Sequence, residues 1–352
     1  MKKNADIDSA KAKRFQSSLF DTVKVKVRVK HENLYLLRQQ HPKRIFHNDG
    51  HYKVRGKHKG TFATIDNADG GEALYIEASM PRFLTGQNLV GHEDLMAGAI
   101  EMIGAVLRRA RISPTTEEQQ AYRAGDFELL RVDYANHLWC GSARRAQYFM
   151  AALRRHTVAR SQDYTAYKKE TLYWRQHSSR QTLKAYDKGR QIAKKPMGPR
   201  VYAAAALTKR AAGLIRFELT LRADELKRLG LRDPSAWTAD VARRMLDEKV
   251  REVLPTEGRV PNEVLFGKLS RSLRQRLELW LRGGTNAFTD YPGSFAKSKK
   301  EVMEKTGIDI MSVATPAQQA RAFCTLREMF DEGWGYQCWK EKWEKMKRGK
   351  KE

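Results

Sequence analysis

Residues 20–30 read FDTVKVKVRVK. Val23, Val25, Val27 and Val29 alternate with Lys24, Lys26, Arg28 and Lys30. Successive side chains of a strand point to opposite faces, so a period of two puts every valine on one face and every cation on the other. The expectation is a strand with one face in a core and one basic face turned outward.

The same reading extends along the chain. ALYIEASM (73–80), FELLRVDYANHL (127–138), TLYWRQ (171–176), TLKAY (182–186) and LIRFELTLR (214–222) read as strands, and the Gly- and Lys-rich stretch 50–68 as a hairpin. Between them the period changes. Leu95, Met96, Ile100, Ile103, Val106 and Leu107 form a helical stripe within 93–109, and 142–155 gives a helix with Phe149, Ala152 and Leu153 inward. From about 226 the chain reads as helical. Asp233 and Pro234 are start signals before SAWTADVARRMLDEKVREVL, and Leu269, Leu273, Leu277 and Trp280 mark another helix. The tail mixes Trp339 and Trp343 with lysines. The expected class is α+β. Residues 1–18 would form a flexible basic arm, 19–225 a mixed strand–helix domain, and 226–352 a mainly helical basic region.

Charge narrows the function. The net charge is +26, from 67 Lys and Arg against 41 Asp and Glu. Lys and Arg on a polyanion release counterions and gain affinity, so nucleic acid is the expected partner. No apolar run is long enough to span a membrane, and residues 1–18 carry charge without the apolar segment of a secretory signal, so neither is expected. Three cysteines, Cys140, Cys324 and Cys338, are scattered, which fits neither a disulfide framework nor a metal spacing and suits a reducing compartment.

Four acids interrupt apolar strands: Asp21 in LFDTV, Glu77 in YIEAS, Asp133 in RVDYA and Glu218 in RFELT. A buried carboxylate is costly unless paired or metal-bound. Arg131 and Arg216 lie two residues from Asp133 and Glu218 on the same strand face, so ion pairing is one outcome. A shared Mg²⁺ or Mn²⁺ site is the other, because hard oxygen ligands suit those ions. The nine histidines include no His-hydrophobic-His pair, and His47 and His51 read as loop residues. Any metal site must therefore be mostly carboxylate.

At 181–192, QTLKAYDKGRQI, an apolar run ends at Tyr186 and gives way to Asp187, Lys188, Gly189 and Arg190. A tyrosine can attack a phosphodiester, and a nearby cation such as Lys188 would offset its weakness as a nucleophile at neutral pH. A strand-end tyrosine can equally serve packing.

Several segments, in order and spacing, resemble the gene II/X family of phage and plasmid replication proteins, the replication initiators of filamentous phages. They are YIEASMPRFLTGQNLVGHEDL, LLRVDYANHLWCGSARRAQYFMAALRR, TLYWRQHSSRQTLKAYDKG, GLIRFELTLRADELKRLGL and, later, SFAKSKKEVMEKTGIDI. The resemblance covers roughly residues 19 to 312. It implies an N-terminal antiparallel-sheet nicking domain, rolling-circle initiation and a tyrosine nucleophile at Tyr186. The Tyr-Asp-Lys-Gly that follows is similar to that of related plasmid initiators.

On this reading helices cover one sheet face and the other holds DNA. Lys24, Lys26, Arg28, Lys30, Arg144, Arg145 and Arg175 would bind phosphates, with Tyr173 and Trp174 stacking exposed bases. Glu77, Asp133 and Glu218, with Asp21 added by its place in the first strand, would hold Mg²⁺ or Mn²⁺. Tyr186, assisted by Lys188, would form a 5′-phosphotyrosyl bond and free a 3′-OH, and a second strand transfer would close the displaced circle. The partners implied are double-stranded origin DNA, its single-stranded nick region, and host helicase and polymerase in the bacterial cytoplasm. The rival reading is a non-catalytic nucleic-acid-binding protein whose strand acids only form ion pairs.

Overall fold

In the computed structural model the valines of the opening stretch lie beneath helices and its lysines on the opposite face. The structure describes residues 18–160, 164–167, 171–201, 203–254, 259–261, 263–284, 287–311 and 314–334. The expected arm over 1–18 falls almost wholly outside the described residues, as do Trp339, Trp343 and Cys338.

Ten strands form one antiparallel sheet: β1 (Leu19–Arg28), β2 (Ile45–Asn48), β3 (His51–Arg55), β4 (Phe62–Ala68), β5 (Ala73–Ser79), β6 (Phe127–Trp139), β7 (Tyr164–Tyr167), β8 (Thr171–Trp174), β9 (Gln181–Asp187) and β10 (Leu214–Arg222). Their order is β2-β3-β4-β5-β1-β6-β10-β9-β8-β7. The opening stretch thus lies at the sheet's centre, which is why its alternation is so regular. Val23, Val25, Val27 and Val29 are fully buried, each worth roughly 1.5–3 kcal/mol of transfer free energy.

Several helices have caps that the sequence supplies. Among the first are α1 (Leu34–Gln40), α2 (Met80–Thr85), α3 (Leu95–Ala110), α4 (Thr116–Arg123) and α5 (Ala143–Arg160). Asp94 caps α3 by accepting from the Ala97 amide, and Thr115 with Glu118 forms a capping box on α4. Further on come α6 (Lys188–Lys194), α7 (Ala204–Ala211), α8 (Ala223–Arg228) and α9 (Ala239–Val253). The start signal expected at Asp233–Pro234 serves a short 3₁₀ turn, Pro234–Ala236. The long helix α9 begins later, capped by Thr238, whose hydroxyl accepts from Val241 N.

Two cores result. The larger joins the valine face of the sheet to α3, α5 and α9, and also takes in Leu326, Met329 and Phe330 of a late helix, α14 (Leu326–Gly333). The smaller gathers α10 (Glu263–Phe266), α11 (Arg271–Leu281), α12 (Pro292–Thr306) and α13 (Pro316–Ala322) around Phe266, Leu277, Phe288 and Phe323. A two-stranded ladder, β11 (Arg259–Pro261) with β12 (Phe323–Thr325), accompanies them. Beyond α14, Trp334 bridges to Leu138 on β6, donates to Asp247 Oδ1 at 2.6 Å and stacks on Phe330.

The other face of the sheet carries the charged residues. Near β9 and β10 it is roofed by a third apolar cluster, in which Leu89 and Val90 meet Ile192, Val201, Leu207, Ala211 and Leu214. The roof consists of α6, α7 and the loop before Leu89, and the candidate tyrosine lies beneath it. No helix among the described residues is long and apolar enough to cross a membrane.

Candidate active site

Cross-strand register places the site. Arg216 pairs with Tyr186 on β9 and His137 on β6, and Glu218 pairs with Lys184. Lys24 lies between Glu77 and Arg131, and Thr220 opposes Asp133. All these residues therefore share the charged face, opposite the valines. On β1 the register shifts between Phe20 and Val23. The extra residue of this bulge lets Phe20 and Val23 both enter the core, while Asp21 bonds partners on the charged side.

The four strand acids share this face but sit at two guanidinium nodes. Arg131 holds Asp133 bidentately, with Nε–Oδ1 at 2.9 Å and Nη2–Oδ2 at 2.8 Å, and donates to Glu77 Oε1 at 2.9 Å. Arg216, fully buried, donates to Asp21 Oδ2 at 2.7 Å and lies 3.7 Å from Glu218 Oε2. Lys184 meets Glu218 Oε1 at 3.0 Å. Among the described residues no group of three or more His, Cys, Asp or Glu side chains is placed to hold a metal ion. With every carboxylate already taken by a cation, this donor set does not fit Mg²⁺ or Mn²⁺, and no step below is drawn through one.

Electrostatics follow from burial and these pairs. Burial alone would raise the Glu218 carboxyl, but Lys184 and Arg216 hold it well below the usual carboxylate range. At Asp133 burial wins over Arg131 and the value rises. Burial pushes the Tyr186 phenol well above its ordinary value, against the opposing pull of Arg216 and with Glu218 and Asp21 adding to the rise. Lys188 moves the other way: burial first, then Arg216, depress its ammonium well below the ordinary lysine value. Burial thus disfavours the charged form of both side chains, which are adjacent, with Lys188 Nζ 5.7 Å from the Tyr186 ring centroid.

The segment after Tyr186 is built to hold Lys188 there. Asp187 caps α6 by accepting from Arg190 N at 2.9 Å. Gly189 packs against the end of α7, where a Cβ would lie 2.6 Å from Ala211 O. Only glycine fits, because the obstacle is backbone. The Gly189→Ala protein is expected to lose about 1–3 kcal/mol of stability through overpacking. Urea unfolding midpoints check this; an unchanged midpoint would mean that the end of α7 gives way to the added methyl.

The sequence reading missed Asn88. Its Nδ2 donates to Asp21 Oδ2 at 3.1 Å, its Oδ1 accepts from Lys188 Nζ at 2.8 Å, and its backbone carbonyl accepts from Arg216 Nη1. Buried Gln87 shapes the loop that presents it, accepting from Leu89 N and Val90 N and donating to Val90 O. The loop opens at Gly86, whose φ of 82° caps α2 in a conformation that suits glycine.

The DNA-binding candidates separate. Lys24 lies 5.5 Å from the centroid of the Tyr75 ring. Lys26 and Lys30 reach Asp69 and Glu72 at 2.9 and 2.8 Å, and Arg28 is exposed. Arg144 and Arg145 begin α5 on the helical side, with Arg145 Nη2 3.7 Å from Cys324 Sγ. Trp174 is corrected outright: it is 7 % exposed and part of the main core, so it offers no ring to a base. The strand parity that buries Leu172 and Trp174 turns Tyr173 to the charged face, opposite Lys184. Arg175, just beyond, is exposed.

Comparison with known proteins identifies the family. Residues 19–240 match the family model for the N-terminal region of the phage gene II replication-associated protein. The gene II replication-associated protein of Enterobacteria phage I2-2 is 26 % identical over 247 residues, covering 67 % of this chain and 69 % of that protein. A solved structure of a rolling circle replication initiator protein from Geobacillus stearothermophilus is 16 % identical and covers 68 % of this chain and 81 % of that one, at a TM-score of 0.26, too low to bear on the fold. The family match takes in β1 to β10, both guanidinium nodes and Tyr186, and the protein belongs to the gene II family of phage replication-associated proteins.

Proposed function

We propose that the protein initiates rolling-circle replication by nicking one DNA strand at a double-stranded origin with Tyr186. The observation that carries this reading is convergence: β1, the Asn88 loop, α6 and β10 each bring a polar or charged side chain to the surroundings of one phenol. Packing alone needs no such set.

The chemistry balances within these residues. The Tyr186 oxygen attacks the scissile phosphorus while the bond from phosphorus to the 3′ oxygen breaks. The product is a 5′-phosphotyrosyl ester and a free 3′-OH that primes synthesis. Lys188, whose charged form burial disfavours, takes the phenolic proton and passes it to the departing 3′ oxygen. Arg216, a fixed cation, bears on the charge that builds on phosphorus. Reversal with the new 3′-OH rejoins the displaced strand. Because burial holds the phenol protonated, attack requires the roof of α6, α7 and the Asn88 loop to admit the strand.

The pairing of all four strand acids would also suit a protein that only binds nucleic acid. Incubating the full chain with end-labelled origin DNA, denaturing it and mapping the DNA-linked peptide decides between them. A label on the peptide that holds residue 186 supports nicking, and the lack of any adduct at every phage and plasmid origin tried leaves the binding protein.

A further inference from the structure

The loop joining β3 to β4 and the segment following α6 are distant in sequence and meet beside the roof of the site. A Cβ at Gly86 would lie 2.6 Å from His58 Cγ and 2.9 Å from Val201 Cγ2. Three segments therefore touch two residues before Asn88. Burial holds the His58 imidazole below its ordinary value, and Lys57 and Arg200 push it the same way. Residues 53–60, KVRGKHKG, and 188–200, KGRQIAKKPMGPR, contain no acid. Lys57, Lys59, Lys195 and Arg200 are exposed, and among the described residues none has a carboxylate within ion-pair distance.

An aromatic platform adjoins this loop. Phe62, first residue of β4 and on the charged face, is 46 % exposed. Lys53 Nζ sits 5.1 Å from its ring centroid and Phe46 meets it edge-on. Its cross-strand partner Arg55 lies 4.3 Å over Phe46. Unpaired cations from two segments repel one another until a polyanion neutralises them. An exposed ring beside them suits an unstacked base, which only a single strand presents.

We propose that Lys57, Lys59, Lys195 and Arg200, with Phe62 as stacking platform, form a rim that grips single-stranded DNA and leads it under the roof to Tyr186. The destination rests on the nicking reading; the grip does not.

The test uses the full chain and fluorescence anisotropy with a labelled single strand and with the duplex of the same sequence. Replacing all four cations by glutamine should weaken single-strand binding at least about tenfold at low salt and make its log–log salt slope shallower by roughly 3, at about 0.7 per phosphate contact. Duplex binding should change by less than about twofold. Phe62→Ala should cost the single strand about tenfold with its salt slope unchanged, as loss of stacking rather than charge. Equal losses on single strand and duplex, or no loss on either, overturn the rim. A wild type that binds single strands through the rim yet never forms an adduct overturns the nicking reading and leaves the rim standing.

Discussion

The Tyr186→Phe protein is expected to bind origin DNA as wild type does and to cut none of it. The change removes one oxygen. The ring stays in place, since Tyr186 is buried on a strand between Arg216 and Thr171, so stability should move by no more than about 1 kcal/mol. Duplex affinity is expected to rest on lysines and arginines elsewhere. Cleavage and the covalent adduct should both vanish, because no neighbouring group can form the ester in its place. Supercoiled origin plasmid measures the first and a denaturing gel the second. Tyr173→Phe, on the adjacent strand, is the control and should keep most activity. If Tyr186→Phe still cuts while Tyr173→Phe does not, the nucleophile is Tyr173.

The second large effect is on stability. Arg216→Leu should destabilise the fold by about 3–5 kcal/mol, because it strands Asp21 and Glu218 in the interior with a positive partner gone. Urea unfolding at pH 7 measures it, and a loss under about 1 kcal/mol would show that solvent already reaches the pair. The pH dependence carries a sign. The folded Glu218 carboxyl is held below its unfolded value, so its contribution is present above about pH 4.5 and drains away as pH falls towards the folded value. The variant should be less stable throughout and show a flatter slope below about pH 4.5.

Strands were far more legible than the site. LIRFELTLR and the valine alternation mark their strands because burial of one face imposes a period that survives in the residues themselves. The acids at strand centres marked the charged face, and of the two outcomes open to them, pairing with Arg131 and Arg216 is the one the side chains adopt. Trp174 misled because an aromatic beside Arg175 reads as a nucleic-acid contact, whereas strand parity alone assigns its face. Asn88 was out of reach. Its role depends on a loop folding across the sheet to meet Lys188 one hundred residues later, and no local period encodes such a meeting. The roof was hidden for the same reason: α6 and α7 fall in stretches that look polar and Ala-rich, and only tertiary packing gives their apolar residues a common purpose.

The seam at Trp334 bears on how this molecule comes into being. Phe217 and Leu138, laid down early, gain their cover from an indole that follows them much later in the sequence. On a ribosome delivering roughly 5–20 residues per second, the sheet would wait many seconds with that apolar patch bare. A polypeptide cut short before Trp334 would keep every residue around Tyr186 and still expose Phe217, making it prey for chaperones and proteases. Quality control would then discard copies that lack this cover.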